Sequence, residues 1–178
     1  MAKIHIRPAV ATDLPSLIKM DHSCSSDYVW QMDLLQDDDQ SGAKFREIRL
    51  PRTITISYPR SPSRLADEWS RHAGMLVAVT EKGLAGYLRL TDKMIQNTAW
   101  ITDVVVAPAM RRNGVGSALV IAAQDWSKDR GNRLIIIEIT TKNAAGIHLA
   151  RKLGFEFCGY NDHYYQSQEI ALFFGRAL

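Results

Sequence analysis

The stretch R-R-N-G-V-G-S-A-L-V, residues 111–120, decides how this chain is read. Two arginines lead into two glycines one residue apart, and small and apolar residues follow without a break. Upstream, T-A-W-I-T-D-V-V-V-A-P (98–108) reads as a long strand stopped by Pro108, because proline has no N–H to give a ladder. Downstream, Val115, Leu119, Ala122, Ala123 and Trp126 recur at helical spacing and predict an amphipathic helix over 114–129. The residues between are therefore a strand-to-helix loop. Such a loop aims unpaired backbone N–H groups, and the positive end of the helix dipole, at whatever lies above it. Glycines at 114 and 116 let an anion come close to those amides. Arg111 and Arg112 add charge and forked donors suited to phosphate. The amides of Arg112, Asn113, Gly114, Val115, Gly116 and Ser117 thus make a candidate pyrophosphate cradle. A tight turn with incidental arginines is the plainer alternative.

Two nucleotide loops fail on detail. The string G-x-x-x-x-G-K-S/T is absent. The dinucleotide pattern G-x-G-x-x-G breaks at Leu119, and the loop follows at least four expected strands instead of opening a βαβ unit.

The rest of the chain sets the frame. Its 178 residues suit one domain, 1–178, and 46% hydrophobic residues suffice for a full core. A net charge of +3 from scattered Lys and Arg gives no basic arm, so no nucleic-acid partner is expected. Cys24 and Cys158 form no CxxC or Cys/His pattern, so no metal is expected and reduced thiols are the simpler reading. M-A-K-I-H-I-R-P-A-V (1–10) lacks a signal-peptide core, and no apolar run reaches the ~18 residues of a membrane span. These features predict a cytoplasmic protein with no membrane partner.

Alternation and helical spacing give the element order. A strand at K-I-H-I-R-P-A (3–9) precedes a helix at T-D-L-P-S-L-I-K-M (12–20). D-H-S-C-S-S-D-Y-V-W-Q-M (21–32) reads as a loop or short helix, and L-L-Q-D-D-D-Q-S-G (34–42) as an exposed turn. K-F-R-E-I-R-L (44–50) and R-T-I-T-I-S-Y (52–58) read as two strands parted by Pro51. A helix follows around Ala66 to His72, then a hairpin over 75–90. R-L-I-I-I-E-I-T (133–140) is a buried strand and N-A-A-G-I-H-L-A-R-K-L (143–153) a helix closed by Gly154. F-E-F-C-G-Y and E-I-A-L-F-F-G-R-A-L are the last two strands, which makes a mixed α/β (α+β) domain.

The loop at 111–116 resembles the phosphate loop of the GNAT superfamily of acyl-CoA N-acyltransferases, whose pattern is Gln/Arg-x-x-Gly-x-Gly/Ala after a strand. A second segment, N-A-A-G-I-H-L-A-R-K-L-G-F (143–155), resembles that family's Asn-led helix ending in K-L-G-F. More narrowly, M-D-H-S-C-S-S-D-Y-V-W, F-R-E-I-R-L-P-R-T-I-T-I-S-Y-P, the run G-F-E-F-C-G (154–159) and E-I-A-L-F-F are similar to the streptothricin/nourseothricin acetyltransferase group.

The resemblance implies a central mixed, largely antiparallel sheet of about six to seven strands flanked by helices. It implies that this sheet is splayed between residues 103–106 and 134–140. The backbone of Val104, Val105 and Val106 would pair with the pantetheine arm of acetyl-CoA, and Asn143 would touch that arm, although Asn is also a preferred helix N-cap. The acceptor would be a primary amine of a small cationic molecule, attacked directly in a ternary complex. A peptide amine or polyamine is the alternative acceptor, and a non-catalytic acyl-CoA sensor the alternative class. Asp103 and Glu138 stand out as carboxylates in apolar strands, as bases, as anchors for a cationic acceptor or as salt-bridged structural groups. The helix carries Ala150 where many family members have a tyrosine acid. Tyr165 is the first substitute, followed by Tyr164, His148 and His163. Asp21, Asp27, Tyr28 and Trp30 form an acidic and aromatic set suited to a cationic amine. His22 and His72 fit no pattern, and a monomer or homodimer is expected.

Overall fold

The computed structural model describes residues 3–69 and 74–178. In chain order its strands are β1 (His5–Pro8), β2 (Cys24–Asp37), β3 (Gln40–Ile56), β4 (Gly74–Thr80), β5 (Gly83–Ile95), β6 (Thr98–Val106), β7 (Leu134–Thr140), β8 (Glu156–Asn161) and β9 (Ala171–Ala177). The helices are α1 (Leu14–Lys19), α2 (Leu65–Glu68), α3 (Val115–Asp129) and α4 (Ala144–Lys152). Seven strands form one sheet in the order β1-β4-β5-β6-β7-β9-β8, and β2 pairs with β3 in a separate ribbon. Neighbours in the large sheet are antiparallel except β6 and β7. That parallel pair needs a crossover, and α3 supplies it.

The β6–β7 pair opens like a V. Its register runs from Thr98↔Leu134 to Ile101↔Ile137 and then stops, although both strands continue. On its other side β6 stays paired to β5 as far as Val106↔Gly86. The expected separation beside residues 103–106 is therefore present, and it leaves the backbone of 102–106 without a strand partner on the β7 side among the described residues.

Two cores hold the layers. Leu119, Val120 and Ala123 of α3 and Ile147 and Ala150 of α4 pack on Leu88, Ile101, Ile137 and Leu172 of the sheet. Leu14 and Leu17 of α1 and Leu65 of α2 pack with Val77, Tyr87 and Val105.

The region 21–58 departs from expectation. Residues 21–32 are not a loop or short helix; from Cys24 they are strand. Their alternation is broken by a bulge between Ser26 and Tyr28, which hides the period of two. The exposed turn shrinks to Asp38 and Asp39, and both flanks of the 34–42 segment are ribbon. The two strands expected around Pro51 are the single strand β3. The ladder passes from Tyr28↔Arg49 to Ser26↔Ile54, so Pro51 falls in an unpaired stretch where its missing N–H costs no ladder bond. Of the helix expected around Ala66 to His72, the final part, His72 included, lies outside the described residues.

Candidate active site

Glu138 and Asp103 meet across the V. Asp103 lies on β6 and Glu138 on β7, and both carboxylates are fully buried. A guanidinium lies between them. Arg60, from the segment after β3, donates to the Thr102 carbonyl at 3.0 Å, to Asp103 Oδ1 at 3.3 Å and to Glu138 Oε1. Asp103 also takes Arg89 Nε at 2.7 Å, Thr102 Oγ1 at 2.8 Å and the Tyr58 hydroxyl. Glu138 Oε2 accepts from Trp100 Nε1 at 2.7 Å and from the Tyr164 hydroxyl at 2.8 Å. The sheet makes this inevitable: Arg89 and Asp103 are direct cross-strand partners, and Glu138 is opposite Phe173, whose ring lies against both Trp100 and Tyr164.

Burial pushes Asp103 up, but Arg60 and Arg89, with hydrogen bonds from Tyr58 and Thr102, outweigh it and hold the carboxyl below its usual range. Asp103 is thus a saturated anion and a weak base. Burial opposes the charge of Arg60, and the two carboxylates overcome that opposition and hold it more firmly protonated. With its side chain 27% exposed, Arg60 is much more open than Arg89 at 4%.

Tyr165 is buried, with its ring beneath the Arg60 guanidinium at 5.4 Å and edge-on to Tyr164 at 5.1 Å. Burial, then the Glu138 charge, raise both phenols, so each keeps its proton at neutral pH. Of the other candidate acids, His148 faces Glu47 at 2.6 Å and His163 faces Asp162 at 3.2 Å, both mostly exposed. Ala150 is buried in the main core, so a phenol there would have to displace neighbours.

His22, which no pattern marked, belongs to the same neighbourhood. Its Nδ1 faces the Met20 carbonyl at 2.6 Å, which can only accept, so that nitrogen carries the proton. Nε2 faces the Tyr87 hydroxyl at 3.0 Å, which lies 3.5 Å from that of Tyr58. Burial lowers the His22 pKa, against the pull of the Met20 carbonyl and of Asp103.

The candidate phosphate loop takes its shape from the backbone. Gly114 caps α3 at φ 84°, and Arg112 also takes a positive φ of 63°. A Cβ at Gly114 meets nothing within 4 Å, so this glycine serves the left-handed backbone rather than clearance from a neighbour. At Gly116 a Cβ would come 3.2 Å from Leu149 and 3.7 Å from Val106, so the missing side chain lets α3, α4 and β6 close up. Val115 is buried and offers only its amide, whereas Asn113 is exposed with Nδ2 on the Arg111 carbonyl at 3.0 Å. The arginines divide. Arg111 donates to the Val106 carbonyl at 3.1 Å and to the Ser23 carbonyl, tying the loop to the sheet and to the segment before β2. Arg112 is exposed. Asn143 caps α4, accepting from the Gly146 amide at 2.9 Å.

The structure disperses the acidic and aromatic set. Asp21 accepts from Ser23, Asp27 accepts from Thr53, and Tyr28 is exposed. Trp30 donates to Glu47 at 3.3 Å, stacks under Arg151 at 5.7 Å and lines a cavity of about 400 Å³ with Phe155, Phe157 and Phe174. No hydrogen bond, ion pair or ring contact joins these four among the described residues. Arg60, Tyr58 and Arg89 were the residues missed. Arg89 carried a usable signal, a cation within the apolar strand L-A-G-Y-L-R-L. Arg60 carried none.

The family model for the acetyltransferase (GNAT) family matches residues 43–155. The chain is 28% identical over 165 residues to the streptothricin acetyltransferase of Streptomyces lavendulae, a match covering 90% of this chain and 85% of that protein. The crystal structure of nourseothricin acetyltransferase superposes with a TM-score of 0.82 at 26% identity over 98% of both chains. A structure from Bacillus anthracis str. Ames, in complex with acetyl coenzyme A, superposes with a TM-score of 0.78 at 21% identity, over 99% of this chain and 100% of that one. The chain belongs to the acetyltransferase (GNAT) family and is an acetyl-CoA-dependent N-acetyltransferase.

Proposed function

We propose that this single-domain enzyme acetylates a primary amine of a small cationic molecule of the streptothricin type, by direct attack on acetyl-CoA in a ternary complex in the cytoplasm. The observation that carries this reading is the pair of buried carboxylates facing each other across the separated strands, bridged by a partly exposed cation. Likeness to two antibiotic acetyltransferases over nearly the whole chain supports it.

In this reading the amides of 112–117, with Arg112, hold the pyrophosphate, and the backbone of 104–106, left unpaired by β7, takes the pantetheine arm as an added strand. The acceptor's ammonium displaces Arg60 from Glu138, and Glu138 takes its proton. The amine lone pair then attacks the thioester carbon. The C–N bond forms as the C–S bond breaks, the nitrogen releases its second proton to solvent, and the departing thiolate takes the proton of Tyr165, which Tyr165 regains from solvent. Asp103 keeps its ion pair with Arg89 and stays out of the proton transfers.

Release of CoA thiol over an amine panel tests the reading. A streptothricin-type amine is expected to exceed polyamines and peptide N-termini at least tenfold in kcat/KM. A polyamine or a peptide heading the panel sinks this acceptor.

A further inference from the structure

Thr140 is the last residue of β7, beyond the point where β6 leaves it. It is 5% exposed, and its Oγ1 finds no hydrogen-bond partner among the described residues. Alternation puts its side chain on the face of Glu138, two residues earlier, and not on that of Ile139, which is in the main core. Its cross-strand partner is Ala171, one of the smallest side chains available, next but one to the Phe173 opposite Glu138. A buried hydroxyl with no partner gives up its bonds to water and gains nothing in return. Valine, nearly the same shape, would fill the site without that loss.

We propose that Thr140 is a substrate-binding residue, whose Oγ1 accepts an N–H of the acceptor amine and so aims the nitrogen lone pair at the thioester carbon. The inference rests on the reading that Glu138 receives the amine on this face. Displacement of Arg60, the open member of the cluster, gives the amine its way in. A primary amine has the required chemistry: once Glu138 has taken a proton from its ammonium, two N–H remain, one to donate to Thr140 and one to leave to solvent as the amide forms, while the lone pair reacts. Among the described residues one other buried side-chain atom likewise has no partner, Gln124 Nε2, and it supplies a control. It lies on α3 nine residues after Val115, about 13 Å along the helix axis from the phosphate loop.

The test compares Thr140→Val, Thr140→Ser and Gln124→Leu in thermal unfolding without ligand and in steady-state kinetics. Thr140→Val is expected to unfold at the same or a higher temperature than the parent. Its kcat/KM for the amine is expected to fall at least tenfold, while the KM for acetyl-CoA moves less than twofold. Thr140→Ser, which keeps the hydroxyl, should stay within about threefold of the parent, and Gln124→Leu should match it in kinetics. Unchanged kcat/KM in Thr140→Val overturns the proposal. So does a lowered Tm with parallel losses for both substrates, which marks a structural hydroxyl. The comparison uses whichever amine the parent turns over best. A peptide amine at the head of the panel would thus remove the streptothricin-type acceptor while the Thr140 result still stands or falls alone. A parent that acetylates no amine overturns both.

Discussion

The phosphate loop and the carboxylate cluster begin on the same strand, three residues apart at Val106 and Asp103, and they are built in opposite ways. The candidate loop, 111–116, is a run of consecutive residues whose shape rests on the backbone, with a positive φ at Gly114 and one helix end. The cluster draws Arg60, Arg89, Asp103, Glu138 and Tyr164 from five separate segments, and each acts through its side chain. A backbone site requires only a local conformation, and the chain can specify that locally. A side-chain site requires the whole sheet to be in register first. Losses should follow the same division: altering the glycines or Arg112 of the loop should touch ligand binding, whereas altering the cluster, or Arg111 with its ties to Val106 and Ser23, should touch the fold as well.

Asp103→Ala is expected to give the largest effect. It removes the carboxylate that faces Arg60, Arg89 and Tyr58 in the interior, and breaking a buried pair from one side costs about 3–5 kcal/mol. Urea unfolding measures it, and a loss under about 1 kcal/mol would place the cluster with the loop as an accessory to the fold. The sign of the pH effect follows from the lowered pKa. The folded pKa lies below the unfolded value of about 3.9, so the stabilisation is complete above about pH 4 and is lost as pH falls through the folded pKa. The parent should therefore lose stability on acidification below about pH 4 more steeply than Asp103→Asn.

Tyr165→Phe comes next, and it probes chemistry within the cluster without removing a charge. If the phenol protonates the thiolate, kcat falls by about 10²–10⁴-fold with little change in the KM for acetyl-CoA. Tyr164→Phe probes a different role, the hydrogen bond that its hydroxyl gives the base Glu138 at 2.8 Å. Full kcat in a folded Tyr165→Phe would falsify the assignment.

Sequence legibility follows the same contrast. The loop, α3, α4 and every strand of the large sheet are readable because each is fixed by local period, a proline stop or a glycine. The separation of β6 from β7 was expected only by resemblance, since V-V-V suits a fully paired strand equally well. Asp103 and Glu138 were visible as charges in apolar runs. Their partners were not, because Arg60 reaches them from 43 and 78 residues away in sequence. The ribbon was misread for a different reason: the bulge at Ser26/Tyr28 and the unpaired stretch around Pro51 shift the alternation that reveals a strand.

The smallest expected effect splits the two arginines of the loop. Sequence alone gave both the same task, charge for the pyrophosphate, and the structure divides them. The Arg111 guanidinium holds the Val106 and Ser23 carbonyls, so its loss should loosen the joint between β6, the loop and the start of β2. Arg112 is exposed, and its side chain has only charge to offer. Arg112→Ala is therefore expected to weaken CoA roughly two- to fivefold, the scale of a solvated ion pair, and to leave a pantetheine fragment without phosphates unaffected. The loss should shrink further at high salt, where exposed charges are screened. Arg111→Ala is expected to weaken CoA and the fragment alike and to lower Tm, because what it removes is geometry and not charge. Calorimetric titration of both ligands into both variants separates the cases. Equal losses for CoA and the fragment in Arg112→Ala would mean that the cradle works through its amides alone and that neither arginine meets the phosphate.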